Sequence, residues 1–227
     1  MRLIAFLLFL VSGNALAEQR IDFDVFLDES KIGSHEYVIN GSADNLSVRS
    51  TAQFKVKFLF VTAFDYRHEA RETWSSGCLT SIQSATRANG KKESVSGQAG
   101  VERFVVSNGG QEQHLTDCVM SFAYWNPDIL KEGQLLNSQT GDYETVEVVD
   151  LGSDTVDYNG QALAARKYEL RLPKTSITVW YGADCARWLA LESPAKGGRV
   201  IRYEPAELPV SVGFAMDKFE GIAGSES

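Results

Sequence analysis

FDYRHEARETW, residues 64–74, alternates with period two. Phe64, Tyr66, His68, Ala70 and Trp74 share one parity, with Glu72 among them, and Asp65, Arg67, Glu69, Arg71 and Thr73 share the other. Successive side chains of a strand point to opposite faces, so this order puts rings on one side and charges on the other. A helix would scatter both sets around its axis, so the stretch is a half-buried strand. The opposite charges on its outer face suit cross-strand pairs, each worth about 0.2–1 kcal/mol.

The same rhythm continues on both sides. Upstream, Ile21, Phe23, Val25 and Leu27 alternate with acidic residues, and Gly33, His35, Tyr37 and Ile39 share a face. Phe54, Val56 and Phe58 alternate with lysines before FLFVTAF (58–64) blurs the period, where one strand bends into the next. Downstream, Cys78–Arg87 and Lys91–Ser96 flank Asn89-Gly90, a strong hairpin signal because a type I′ turn needs positive φ at both central residues. Further strands are expected over Val101–Val106, Tyr143–Leu151, Ala162–Leu172, Ser176–Tyr181, Arg187–Glu192 and Arg199–Glu204. Many short strands joined by tight turns predict a mainly β fold: a curved antiparallel sheet, or an open or partial β-barrel meander.

CVMSFAYWNPDILKEGQLLN, residues 118–137, breaks this rhythm. Asn126 can cap a helix, Pro127 fits its first position, Asp128 suits its positive end and Gly133 suits the position past its end. The expectation is a short helix of about two turns over Pro127–Glu132, inserted between two runs of strands.

Residues 1–17 read as a cleavable export signal: a basic start, the apolar run LIAFLLFLV and the small-residue site Ala15-Leu16-Ala17. Cleavage after Ala17 predicts a periplasmic chain. Residues 18–205 then form a single β-rich domain, and 206–227, with little pattern beyond Gly213, a flexible tail. The formal charge of −8 argues against nucleic acid as a partner. Export makes disulfides admissible. Of Cys78, Cys118 and Cys185, the favoured pair is Cys78–Cys118, because Cys185 sits in the tight turn GADCA; three unpaired thiols is the alternative.

No G-x-S-x-G, Walker A, dinucleotide-binding or C-x-x-C motif occurs. HEARE (68–72) resembles a zinc-protease motif, but its last residue is Glu72 instead of histidine, and it lies on a strand instead of a helix. His35, His68 and Glu72 fall on apolar faces. They can be drawn as a weak metal constellation, against a plainer reading as hydrogen-bonded groups in an aromatic wall, so no metal and no cofactor is expected. His114 reads as solvated. The candidate ligand-binding residues are His35, Tyr37, Phe64, Tyr66, His68, Trp74, Tyr124, Trp125 and Trp180. Aromatic stripes of this kind either fill a core or wall a cavity that a curled sheet encloses.

The runs IDFDVFLDESKIGSHEYVI, VKFLFV, ETWSSGCLTSIQSATRANG, SFAYWNPDIL, LLNSQTGDY and ITVWYGADCARWLALESPAKGGRVIRYE resemble a bacterial group of exported proteins catalogued as a domain of unknown function. The resemblance spans most of Ile21–Glu204 and implies no activity. More distantly, VWYGADCARWLAL (179–191) is similar to the lipoprotein-carrier half-barrel, which implies a curved sheet with helical segments in its concave face. The leading functional expectation is a non-enzymatic binding or carrier protein for a lipid or other apolar or amphipathic small molecule, with peripheral membrane contact compatible. A hydrolase-type or metal-dependent enzyme using His35 or His68, and a structural envelope-assembly partner, are the alternatives.

Overall fold

The computed structural model describes residues 18–42, 44–58, 61–116, 118–183 and 187–208. Eight strands run first: β1 (Gln19–Leu27), β2 (Ser30–Ser42), β3 (Asn45–Phe58), β4 (Val61–Ser75), β5 (Cys78–Ala88), β6 (Lys91–Ala99), β7 (Phe104–Asn108) and β8 (Gln111–Leu115). After a non-strand stretch come a 3-10 helix (Pro127–Lys131) and a small hairpin of β9 (Gln134–Leu136) and β10 (Tyr143–Thr145). Five more strands follow: β11 (Glu147–Tyr158), β12 (Gln161–Arg171), β13 (Ser176–Gly182), β14 (Trp188–Ala195) and β15 (Arg199–Pro205).

Thirteen of these strands form one antiparallel sheet in the order β11-β12-β13-β14-β15-β1-β2-β3-β4-β5-β6-β7-β8. Every neighbour is sequential except β15 beside β1, which joins the two halves of the chain through pairs such as Val25 with Tyr203. The sheet does not close into a barrel, because β11 and β8 remain as its edges. Both edges are rich in polar and charged residues, which discourages pairing with other chains. The hairpins use the expected turn chemistry, with Asn89 at φ 49° and Gly90 at φ 86°. At Gly33 a side chain has no room: a Cβ would lie 1.8 Å from the Gln53 carbonyl oxygen of β3.

The segment between β8 and β11 is the core's centre. Val119, Met120, Ala123, Trp125, Ile129, Leu135 and Leu136 are buried in one cluster with Ile21, Ile39, Trp74, Ile82, Phe104, Leu170 and Trp188. That cluster draws on β1–β7 and β12–β14, so the sheet must curve around the segment. Met120 is tied to Leu136, whose amide donates to its carbonyl (2.8 Å), and the Leu79 amide donates to the Val119 carbonyl (2.9 Å). Cys78 and Cys118 are disulfide-bonded, as favoured from the sequence. Cys185 lies outside the described residues, as do residues 1–17 where an export signal is expected, Leu59 and Phe60 where a bend is expected, and the chain beyond Leu208.

Three expectations need correction. The single strand expected over Tyr143–Leu151 is two, β10 paired with β9 and β11 at the edge of the main sheet. The helix is a 3-10 helix of five residues, Pro127–Lys131, not two α-helical turns. Asn126 does cap it, its side chain accepting from the Asp128 amide, but both ends bond i to i−3: the Ile129 amide to the Asn126 carbonyl and the Glu132 amide to the Ile129 carbonyl. Glu132 is extended, so the chain leaves directly for β9 and Gly133 makes no left-handed cap. The strand expected from Val101 begins instead at Phe104, and Val101 projects fully into solvent before it.

Replacing both Cys78 and Cys118 by serine removes a cross-link between residues 40 apart. The chain-entropy relation predicts a loss of about 4 kcal/mol of unfolding free energy. Urea unfolding of the oxidised protein and of the double variant measures it, and equal midpoints would contradict it.

Candidate functional site

The register of β2–β5 arranges the inner face in rows. His35, Ala52, His68 and Thr86 form one row across four strands; Tyr37, Ser50, Ala70 and Ser84 form the next; Ile39, Val48, Glu72 and Ile82 form the third. The third row packs against the inserted segment. In the first two, small residues stand where the core has large ones. The result is a cavity of about 360 Å³ between the sheet and the inserted segment. His35, Tyr37, Glu72 and Trp125 are buried in its walls, whereas Phe64, Tyr66, Phe122, Tyr124 and Tyr203 are half-buried and Gln139 and Thr175 are exposed at its rim.

The walls are aromatic. Tyr66 stacks on Phe54 with ring centroids 5.1 Å apart, and Phe64 continues the stack at 6.1 Å. Tyr203, from β15, stands edge-on to Phe54 at 6.2 Å. His35 stacks on Tyr37 at 4.3 Å.

The polar groups sit between these rings. His35 is bonded through Nε2 to Ser50 Oγ (2.7 Å) and through Nδ1 to the Tyr203 hydroxyl (3.3 Å). His68 is bonded through Nδ1 to Thr86 Oγ1 (2.8 Å) and through Nε2 to Ser138 Oγ (3.3 Å). Burial pushes His35 down to about 3, with the nearby His68 adding to it, and burial pushes His68 down to about 4. Both rings are therefore neutral at physiological pH. Each has one nitrogen donating and the other accepting.

Glu72 lies at the boundary between cavity and core. Its register neighbours Val48 and Ile82 are both buried. Ser121 Oγ donates to Oε1 (2.9 Å) and Trp74 Nε1 to Oε2 (3.1 Å). Burial pushes the carboxyl up to about 7, and these two bonds partly offset the rise. Through Ser121, Glu72 is also a side-chain tie between sheet and inserted segment. Nearby, Glu144 accepts from Asn137 Nδ2 (2.7 Å).

The candidates from the sequence divide accordingly. His35, Tyr37, Phe64, Tyr66, His68, Tyr124 and Trp125 line the cavity. Trp74 does not: it packs edge-on against Trp125 (5.4 Å) within the core. Trp180 belongs to a separate cluster with Ala165, Leu189 and Ala190, where its indole donates to Asp154 (2.9 Å) under the Lys167 ammonium. Trp180 and Tyr181 are successive residues of β13 and point to opposite faces, so Tyr181 joins the main core with Val179 while Trp180 joins this second cluster. Glu72 lines the cavity with both histidines, but among the described residues no three His, Cys, Asp or Glu side chains gather as a metal group. Sequence reasoning missed Ser50, Ala52 and Ala70, whose small size makes the space, and Ser138 and Tyr203, which bond the histidines. The alternation placed Ala70 on the inner face, and Ser50 and Ala52 share the parity of Phe54; nothing local marked the other two.

A family profile described as "Domain of unknown function (DUF6134)" matches residues 23–206. The chain belongs to this family. The match runs from β1 through β15, so the cavity and the inserted segment both lie within the DUF6134 domain. No curated protein matches the chain.

The buried acid and the two buried bases act oppositely on stability. The native Glu72 keeps its proton between its ordinary 4.5 and about 7, where the unfolded chain has released it. Its contribution is full below 4.5 and is lost as pH rises through 7. The histidines contribute above 6.5, and that contribution is lost as pH falls through about 4 and 3. Glu72→Gln removes only the first effect. Relative to wild type, the variant should gain stability between pH 5 and 7, by at most about 1.4 kcal/mol per pH unit. A stability difference that stays flat across that range in denaturant titrations would refute the assignment.

Proposed function

We propose that this DUF6134 protein is a non-enzymatic binding or carrier protein of the bacterial periplasm, exported by the signal at residues 1–17, whose cavity accepts an apolar or amphipathic small molecule. The observation that carries the reading is the cavity of about 360 Å³ walled by stacked aromatic rings at one end of an otherwise packed inner face. Ligand clefts span about 300–1,000 Å³ and combine apolar walls with a few placed polar groups. Here those groups are Glu72, the two histidine pairs and the tyrosine hydroxyls. The half-buried rings of Phe64, Tyr66 and Tyr203 would lose their remaining water on ligand entry, which favours binding.

The same geometry weighs against the hydrolase reading. Both ring nitrogens of His35 and of His68 are already bonded to Ser, Thr or Tyr hydroxyls. Neither ring is poised near neutral pH as a general base would be.

Ala52, 2% exposed between His35 and His68 in the register, is the position at which to fill the space. Ala52→Leu should cut the affinity for an environment-sensitive apolar dye at least tenfold. Overpacking at such a site costs roughly 1–3 kcal/mol of stability. Native mass spectrometry of the protein purified from the periplasm should show a non-covalent small-molecule adduct. A protein that carries no adduct and binds the dye no better than its Ala52→Leu variant would sink the reading.

A further inference from the structure

Two carboxyl side chains, Glu72 and Glu144, line the cavity, and among the described residues no Lys or Arg does. The imidazoles there are neutral, with their nitrogens committed to hydroxyls. A carboxylate or phosphate head entering this space would be desolvated without a cation to pair with, next to two acids, and that is costly. A cationic head meets the opposite conditions. Each oxygen of Glu72 accepts one bond although a carboxylate has about four acceptor sites. Oε1 of Glu144 is engaged by Asn137. The stacked Phe54, Tyr66 and Phe64, with Tyr203 edge-on to the stack, supply ring faces of the kind that attract ammonium groups.

We infer that the cavity selects an amphiphile whose head is an organic cation, a primary or quaternary ammonium on an apolar chain, and rejects carboxylate and phosphate heads. This rests on the binding reading above and narrows it to one ligand class. The aromatic stack takes the chain and part of the charge; Glu144 supplies opposing charge, and Glu72, which burial holds protonated up to about pH 7, ionises when a cation sits beside it.

Three ten-carbon probes test it: decyltrimethylammonium, decanoate and decanol. Each is titrated below its micelle concentration, in 0.3 M salt, which shortens the range of attraction to the acidic surface. Calorimetry and the fluorescence of Trp125, which lines the cavity, report binding. The ammonium probe should bind at least about tenfold more tightly than decanoate. In Glu72→Gln and in Glu144→Gln the ratio of ammonium to alcohol affinity should fall, with the fold of each variant checked by its thermal unfolding. If Glu72→Gln does not fold, Glu144→Gln carries the comparison. Equal or tighter binding of decanoate, or an ammonium preference unchanged in the folded variants, overturns the cation inference while the carrier reading stands. Failure of all three probes to bind overturns both.

Discussion

Everything in this structure depends on the packing of one inserted segment against the inner face of an open sheet. A thirteen-stranded sheet with free edges cannot bury its own apolar side. The residues between β8 and β11 do it instead, with Trp125, Ile129, Leu135 and Leu136 meeting rings and aliphatic side chains from both halves of the chain. Among the ties that hold the segment in place are the Cys78–Cys118 disulfide, the amide of Leu79 on Val119 and the side chain of Ser121 on Glu72. The first two lie at the start of β5 and the third in the middle of the inner face, so they seal one end of that face.

The cavity follows from where that seal stops. Along β3, Leu46 and Val48 are buried in the main cluster, while Ser50 and Ala52 line open space. Along β4, Trp74 is core, Glu72 is the boundary, and His68, Tyr66 and Phe64 belong to the cavity. The same alternating strands therefore serve two environments, and the change falls within one row. A carboxyl on that boundary is costly to bury as an ion, which explains both its raised pKa and its two hydrogen-bond donors. The segment that stabilises the fold is thus also one wall of the proposed binding site, through Phe122, Tyr124 and Trp125.

Much of the fold was legible because strand alternation is local. The period-two face of Phe64–Trp74, the Asn89-Gly90 hairpin and the break at residues 118–137 could each be read from a few neighbouring residues. The pairing of β15 with β1 could not, since it joins residues nearly the whole chain apart, and with it went Tyr203 as the partner of His35. Trp180 was misassigned because its ring was weighed without its parity: alternation along β13 gives Val179 and Tyr181 the core face and Trp180 the opposite one. The helix was overestimated because Asn126, Pro127 and Asp128 specify a start, whereas the length was set by β9, which must begin soon after to meet β10 and Met120. The inward-facing aromatic residues were found by pattern, but the space between them comes from small residues, which a search for aromatic and titratable groups passes over.

The central claim is that the aromatic end of the inner face is a ligand cavity and not a core awaiting closer packing. A crystal structure of the protein purified from its native cells, without refolding, tests this most directly. A ligand cavity should show continuous non-protein density between Tyr66 and Tyr203, reaching toward Glu72. Rings of Tyr66, Tyr203 and Tyr124 in mutual contact over Glu72, with no space between them, would contradict it.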